Sequence, residues 1–131
     1  MPLSGWGRYP VVNAEVQHPA DTAAARAVLA GQASLIAYGL GRSYGDSALA
    51  AHVLQSDRLD LFLGFDEASG ILEAQAGVSL DAILSAFVPR GWFLPTTPGT
   101  KFVTLAGAIA SDVHGKNHHG FGCFSQGVRS L

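Results

Sequence analysis

The 131-residue sequence predicts a mixed fold of the α/β or α+β kind built from short elements. Three observations carry that expectation. Short apolar runs that read as strands alternate with amphipathic stretches that read as helices. Glycine, proline and asparagine or aspartate clusters separate them at close intervals. Apolar residues make up 48% of the chain, enough for a packed core and too many for disorder by composition.

Each element follows in order. The first 20 residues read as an extended lead-in. Asp21 or Thr22 can cap a helix running to about Ala30, and Gly31 suits its stop. Ser34 to Tyr38 is a short apolar run before turn signals, expected to be a buried strand. The loop GLGRSYGD comes next. His52 to Gln55 and Leu59 to Leu63 are further strand candidates, Asp66 to Gly70 reads as a hairpin turn, and Ile71 to Ala76 as the returning strand. Ser79 is expected to cap a second helix with Leu80, Ile83, Leu84 and Phe87 on one face, ended by Pro89 and Gly91. Two prolines keep Trp92 to Gly99 irregular. Thr104 opens a third helical signal, with Leu105, Ala108 and Ile109 aligned. HGKNHHGFG is too rich in glycine for a stable helix, and Val128 to Leu131 reads as the start of a strand.

Composition excludes several function classes. The formal net charge is −2, so there is no basic footprint for nucleic acid. The single cysteine, Cys123, excludes an intrachain disulfide and fits a reducing compartment. No basic, then apolar, leader opens the chain, and no apolar run approaches the roughly 18 residues of a membrane span. A soluble, cytoplasmic protein is the expectation. Charged residues are only 14%, against about 25% in an ordinary soluble domain. Either a cofactor, a partner chain or another part of the protein covers some of the surface, or a composition rich in alanine and glycine accounts for the value.

Three constellations bear chemistry. The first is Gly39-Leu40-Gly41-Arg42-Ser43-Tyr44-Gly45-Asp46, directly after a strand. Its glycines let a ligand approach the backbone, successive N–H groups can form a nest for phosphate oxygens, and Arg42 and Ser43 add donors. A tight surface loop that binds nothing is the plain alternative. The Rossmann G-x-G-x-x-G would need glycine at Tyr44, and a Walker A loop would need glycine at Ala110 and Ser or Thr at Asn117, so neither pattern is met.

The second is Pro98-Gly99-Thr100 followed by Thr104 to Ser111, including Gly107. Its small residues make a helix start against which a flat ring can lie, and a helix N-terminus favours anions. Close helix–sheet packing would explain the same residues. The third is Asp112 to His119. Asp112, His114, His118 and His119 invite a metal reading, but the glycines oppose a helix there and no glutamate completes an H-E-x-x-H set. Histidine and lysine beside a redox cofactor are a better use of this loop, where they can donate hydrogen bonds to an electron-rich ring or position a substrate alcohol.

GWGR near the start, GLGRSYGD, PGT and GAIASDVHGKNHH occur in an order and spacing that resemble the vanillyl-alcohol-oxidase-type (PCMH-type) FAD-binding superfamily, over Gly5 to Leu131. The resemblance implies a two-part α+β FAD-binding domain within 1–131, a first lobe of about 1–95 and the start of a second at about 96–131. It assigns Gly39, Leu40, Gly41, Arg42, Ser43, Tyr44 and Gly45 to the FAD pyrophosphate. Pro98, Gly99, Thr100, Thr104, Gly107, Ser111, Asp112 and His114 would line the cofactor, and His114 and Lys116 would face flavin and substrate as the catalytic candidates. Covalently flavinylated relatives often carry histidine where Arg42 stands, so FAD is expected to be held non-covalently.

The activity implied is oxidation of a sugar or polyol hydroxyl, nearest to a ribose 2′-hydroxyl on a polyprenyl-phosphate carrier. The resemblance allows an epimerase-type reductase as partner and expects the remainder of the second lobe and a substrate domain beyond Leu131. Tyr38, Ala106 and Ser111 depart from the arginine, glycine and cysteine of the family pattern, all at the cofactor surface. Two other readings stay open: a non-catalytic FAD-domain remnant serving as a binding module, and a small metal-dependent hydrolase.

Overall fold

In the computed structural model, which describes residues 1–131, no strand exceeds five residues, as the brevity of the apolar runs requires. The chain divides into two units, Met1–Asp60 and Leu61–Leu131. No helix is long and apolar enough to cross a membrane.

In the first unit the extended lead-in becomes three short strands. β1 (Pro2–Ser4) pairs antiparallel with β2 (Val11–Asn13), Leu3 opposite Val12. β3 (Glu15–Gln17), β4 (Ile36–Tyr38) and β5 (His52–Gln55) form a parallel sheet in the order β3-β5-β4. Parallel neighbours need crossovers, and α1 (Thr22–Gly31) lies in the connection from β3 to β4. Asp21 caps α1 as expected, its carboxylate accepting the Ala24 N–H at 2.7 Å. Gly31 is the last helical residue rather than the residue beyond it, and Gln32 leaves in an extended conformation. Val53, on the central strand, stands in register with Val16 and Ile36 and packs with Leu3 and Ala14. His52 Nδ1 lies 3.4 Å from Glu15 Oε2, its register neighbour, within ion-pair range but without hydrogen-bond geometry.

The second unit opens with a hairpin of β6 (Phe62–Asp66) and β7 (Ile71–Ala74). The strand expected at Leu59 to Leu63 begins three residues later, because Leu59 closes a turn by donating its N–H to the Ser56 carbonyl. The hairpin turn falls at Asp66 to Gly70 as read. Gly70 adopts φ +73°, and the Asp66 carboxylate accepts from the Ser69 hydroxyl at 2.7 Å and the Ala68 N–H at 3.0 Å. The Ser69 hydrogen bond, then that of Ala68, holds the Asp66 carboxyl below its ordinary pKa.

α2 (Leu80–Phe87) starts at Ser79, whose hydroxyl accepts the Ala82 N–H. Its face of Leu80, Ile83 and Phe87 is buried with Val78, Ala108 and Phe124. A 3-10 turn containing Pro89 and a left-handed Gly91 (φ +87°) end it. Leu84, the fourth residue of that face, lines a small apolar cavity of about 70 Å³ with Phe65, Trp92 and Phe93.

α3 (Leu105–Ala110) begins at Thr104. Two expectations fail beyond it. His118–Phe121 forms a single helical turn, α4, despite Gly120, and Val128 to Leu131 is not a strand. Val128 instead closes a 3-10 turn by donating its N–H to Ser125, and no other strand takes its backbone groups. Within the second unit Leu80 and Asp81 donate their N–H groups to Val103 and Lys101.

Candidate functional site

β4 delivers the chain into the glycine-rich loop. Gly41 (φ +70°) and Gly45 (φ +57°) hold left-handed conformations that disfavour side chains. No backbone N–H from Gly39 through Asp46 donates to another group of the chain. Exposed, successive donors of this kind are what a phosphate-binding nest requires. Arg42 turns back on the loop, donating to the Leu40 carbonyl at 2.9 Å, and its guanidinium lies over the Trp6 ring. Beside the loop an open cleft of about 630 Å³ is lined by Gly5, Trp6, Arg8, Tyr38, Gly41 and Arg42 among others. The GWGR segment thus belongs to this site, although its sequence assigned it no role; two glycines around Trp6 were the only local signal.

Within the second unit, the start of α3 is spent on packing. The Leu105 and Ala106 N–H groups donate to the Val78 and Ala76 carbonyls, and the Thr104 hydroxyl accepts from Gly107. These first donors are taken, so the anion site expected at this helix start is not formed. Thr104, expected to line a cofactor, is 4% exposed and committed to the cap. Gly107, Ser111 and Gly99 are exposed, and Pro98 and Thr100 are half-buried.

The loop after α3 is pinned to the preceding proline segment. Gly115 is buried so closely that a Cβ there would stand 2.6 Å from the Thr97 carbonyl oxygen, and Asn117 donates its amide to the Pro95 carbonyl. None of the N–H groups from His114 through Asn117 donates within the chain. His114 and Lys116 are exposed on this segment. His118 Nδ1 is 3.0 Å from the Gly115 carbonyl, which requires the proton on Nδ1, and its ring meets those of His114 and His119 at centroid distances of 4.9 and 4.0 Å.

The metal reading of Asp112, His114, His118 and His119 fails. No group of three or more histidine, cysteine, aspartate or glutamate side chains is arranged to hold an ion. Asp112, at φ +42°, accepts the Ser125 N–H at 2.8 Å instead.

A profile of the FAD binding domain family matches residues 11–131. The chain belongs to that family. This FAD-binding domain is 41% identical, over 98% of its length, to the decaprenylphosphoryl-β-D-ribose oxidase of Mycolicibacterium smegmatis, of which it covers 30%. It is 28% identical over 56% of its length to a D-lactate dehydrogenase of Anaerostipes hadrus, covering 16% of that protein. The fold is shared with a cholesterol oxidase from B. sterolicum at a TM-score of 0.74 and 15% identity, over 87% of this chain and 24% of that one. An alkyldihydroxyacetonephosphate synthase matches at 0.67 and 20% identity, over 82% and 22%. The FAD-binding domain therefore spans less than a third of the length of these relatives. Its α+β architecture is that of the family. The residues present suit the cofactor: a run of unpaired N–H groups, two left-handed glycines and an arginine form a donor set for a pyrophosphate.

Proposed function

We propose that this domain is the FAD-binding part of an oxidoreductase that oxidises a sugar or polyol hydroxyl, with a ribose 2′-hydroxyl on a polyprenyl-phosphate carrier as the substrate class. The observation that carries the reading is the run of unpaired N–H groups from Gly39 through Asp46 on a loop shaped by Gly41 and Gly45. The 41% identity to the mycolicibacterial oxidase supports the substrate class.

In this reading Gly39 to Gly45 hold the pyrophosphate through backbone donors, and Arg42 adds a fixed positive charge. Pro98, Gly99, Thr100, Gly107, Ser111 and Asp112 line the cofactor. His114 and Lys116 present donors to the flavin and the substrate hydroxyl. Bound FAD supplies the hydride acceptor. Arginine at position 42 makes no bond to the flavin carbon framework, so the cofactor is held non-covalently. An epimerase-type reductase would take the ketone product onward.

The test is an absorbance spectrum of the protein after incubation with FAD and desalting. Retained bands near about 370 and 450 nm, released on denaturation, are the expected result. Flavin that stays attached after denaturation would overturn the non-covalent assignment. No retained flavin, in a chain extended through the whole family domain, would overturn the FAD site itself.

A further inference from the structure

Glycines at positions 5 and 7 around Trp6 allow a tight turn, and the chain makes one, closed by the Arg8 N–H donating to the Gly5 carbonyl at 3.0 Å. Arg8 takes φ +59° to complete it, a left-handed conformation uncommon outside glycine. The turn does not stand alone. Gly5 is buried, and the Ser43 carbonyl oxygen occupies the space a Cβ would need. The Trp6 N–H donates to that same carbonyl at 2.8 Å. At the other end of the loop, the Tyr38 hydroxyl donates to the Ser4 carbonyl at 2.9 Å and rests against Gly41. The Arg42 guanidinium lies 5.8 Å above the Trp6 ring, within cation–π range.

Within the glycine-rich loop local bonds run through carbonyl acceptors: Leu40 takes the Arg42 guanidinium, Tyr44 the Ser47 hydroxyl and N–H, and Asp46 the Leu49 N–H. Its N–H groups are unpaired from Gly39 through Asp46, and glycine leaves its backbone the widest conformational choice. Contacts from outside add to these local bonds, tying Tyr38, Gly41, Arg42 and Ser43 to three consecutive residues near the start of the chain. We propose that Ser4 to Trp6 form a clasp that fixes the glycine-rich loop, with Tyr38 as the positioning residue. The clasp preorganises the loop's donors and so raises FAD affinity, a last step that rests on the functional reading above.

The test compares Tyr38→Phe and Gly5→Ala with the wild-type chain. Tyr38→Phe keeps the ring and removes only the hydroxyl; Gly5→Ala drives a methyl group into the Ser43 carbonyl. Native-state trypsin cleavage after Arg42, divided by cleavage after Arg58 in the same unit, reports loop order apart from global unfolding. Flavin fluorescence titration with FAD gives the affinity. The ratio should rise about fivefold or more and FAD should bind about fivefold to tenfold more weakly in Tyr38→Phe, the effect of one lost hydrogen bond. Loss of stability alone would raise cleavage at both sites and leave the ratio unchanged. An unchanged ratio in Tyr38→Phe, which is the variant that should fold, would overturn the clasp. A raised ratio with unchanged FAD affinity would overturn its service to the cofactor. FAD affinity is read in the chain extended through the whole family domain; an extended wild-type chain that takes up no FAD would count against the functional reading, while the cleavage ratio would still decide the clasp.

Discussion

Replacing Gly41 by alanine should weaken FAD binding far more than the same change at Gly45. Both glycines are left-handed, at φ +70° and +57°. An alanine there costs about 1–2 kcal/mol from the clash of Cβ with the backbone. At Gly45 nothing lies within 4 Å of the added methyl, so the cost ends there. At Gly41 the methyl meets the Tyr38 hydroxyl, which can swing away only by giving up its 2.9 Å hydrogen bond to the Ser4 carbonyl. That bond contributes about 0.5–1.5 kcal/mol more. Gly41→Ala should therefore cost about 1.5–3.5 kcal/mol in all, or about 10- to 400-fold in FAD affinity if the loop relaxes in the free protein and must be re-formed on binding. Gly45→Ala should cost about 5- to 30-fold by its backbone term alone. Flavin fluorescence titration reads both, with thermal melts recording any share lost as stability instead. Equal effects at the two positions would refute the role given to the Tyr38 contact. Affinity and melting temperature unchanged by Gly41→Ala would refute the backbone argument as well.

Two further outcomes follow from the second unit. Leu80 is fully buried beside Val78, Ile83, Phe87, Ala108 and Phe124, so Leu80→Ala should cost about 2–5 kcal/mol in urea unfolding; a loss under about 1 kcal/mol would show that this cluster is not the core. Asp66 has its pKa lowered by the Ser69 and Ala68 hydrogen bonds, so its contribution is present above the unfolded carboxylate value of about 3.9 and is lost as pH falls through the folded value. The stability advantage of wild type over Asp66→Ala should be constant near neutral pH and shrink in acid; an advantage that grows in acid would contradict the turn geometry.

Local chemistry was readable wherever a residue acts on its near neighbours. Asp21, Ser79 and Thr104 each accept an N–H three residues on, and each cap was legible as a polar residue before an apolar helical face. The hairpin turn from Asp66 to Gly70 and the stop at Gly91 follow from the same short-range rules. The glycine-rich loop was legible too, since a cluster of glycines after a strand states its own conformational freedom. Elements settled by competition between distant groups were not. The strand expected from Val128 had no partner to pair with.

The sequence by itself determined the family, the short-element α+β character and the segments that carry the chemistry, because motif residues and caps act over a few positions. Tertiary structure decided how those segments are used. The donors at the start of α3 went to Val78, Ala76 and Thr104 rather than to an anion, and Asp112 went to Ser125 rather than to a metal set. The loop after β4 is shaped by Ser4, Gly5 and Trp6, more than thirty residues earlier in the chain. A hydrogen bond depends on where its two ends meet in space, and spacing along the chain does not encode that meeting when the partners belong to different elements.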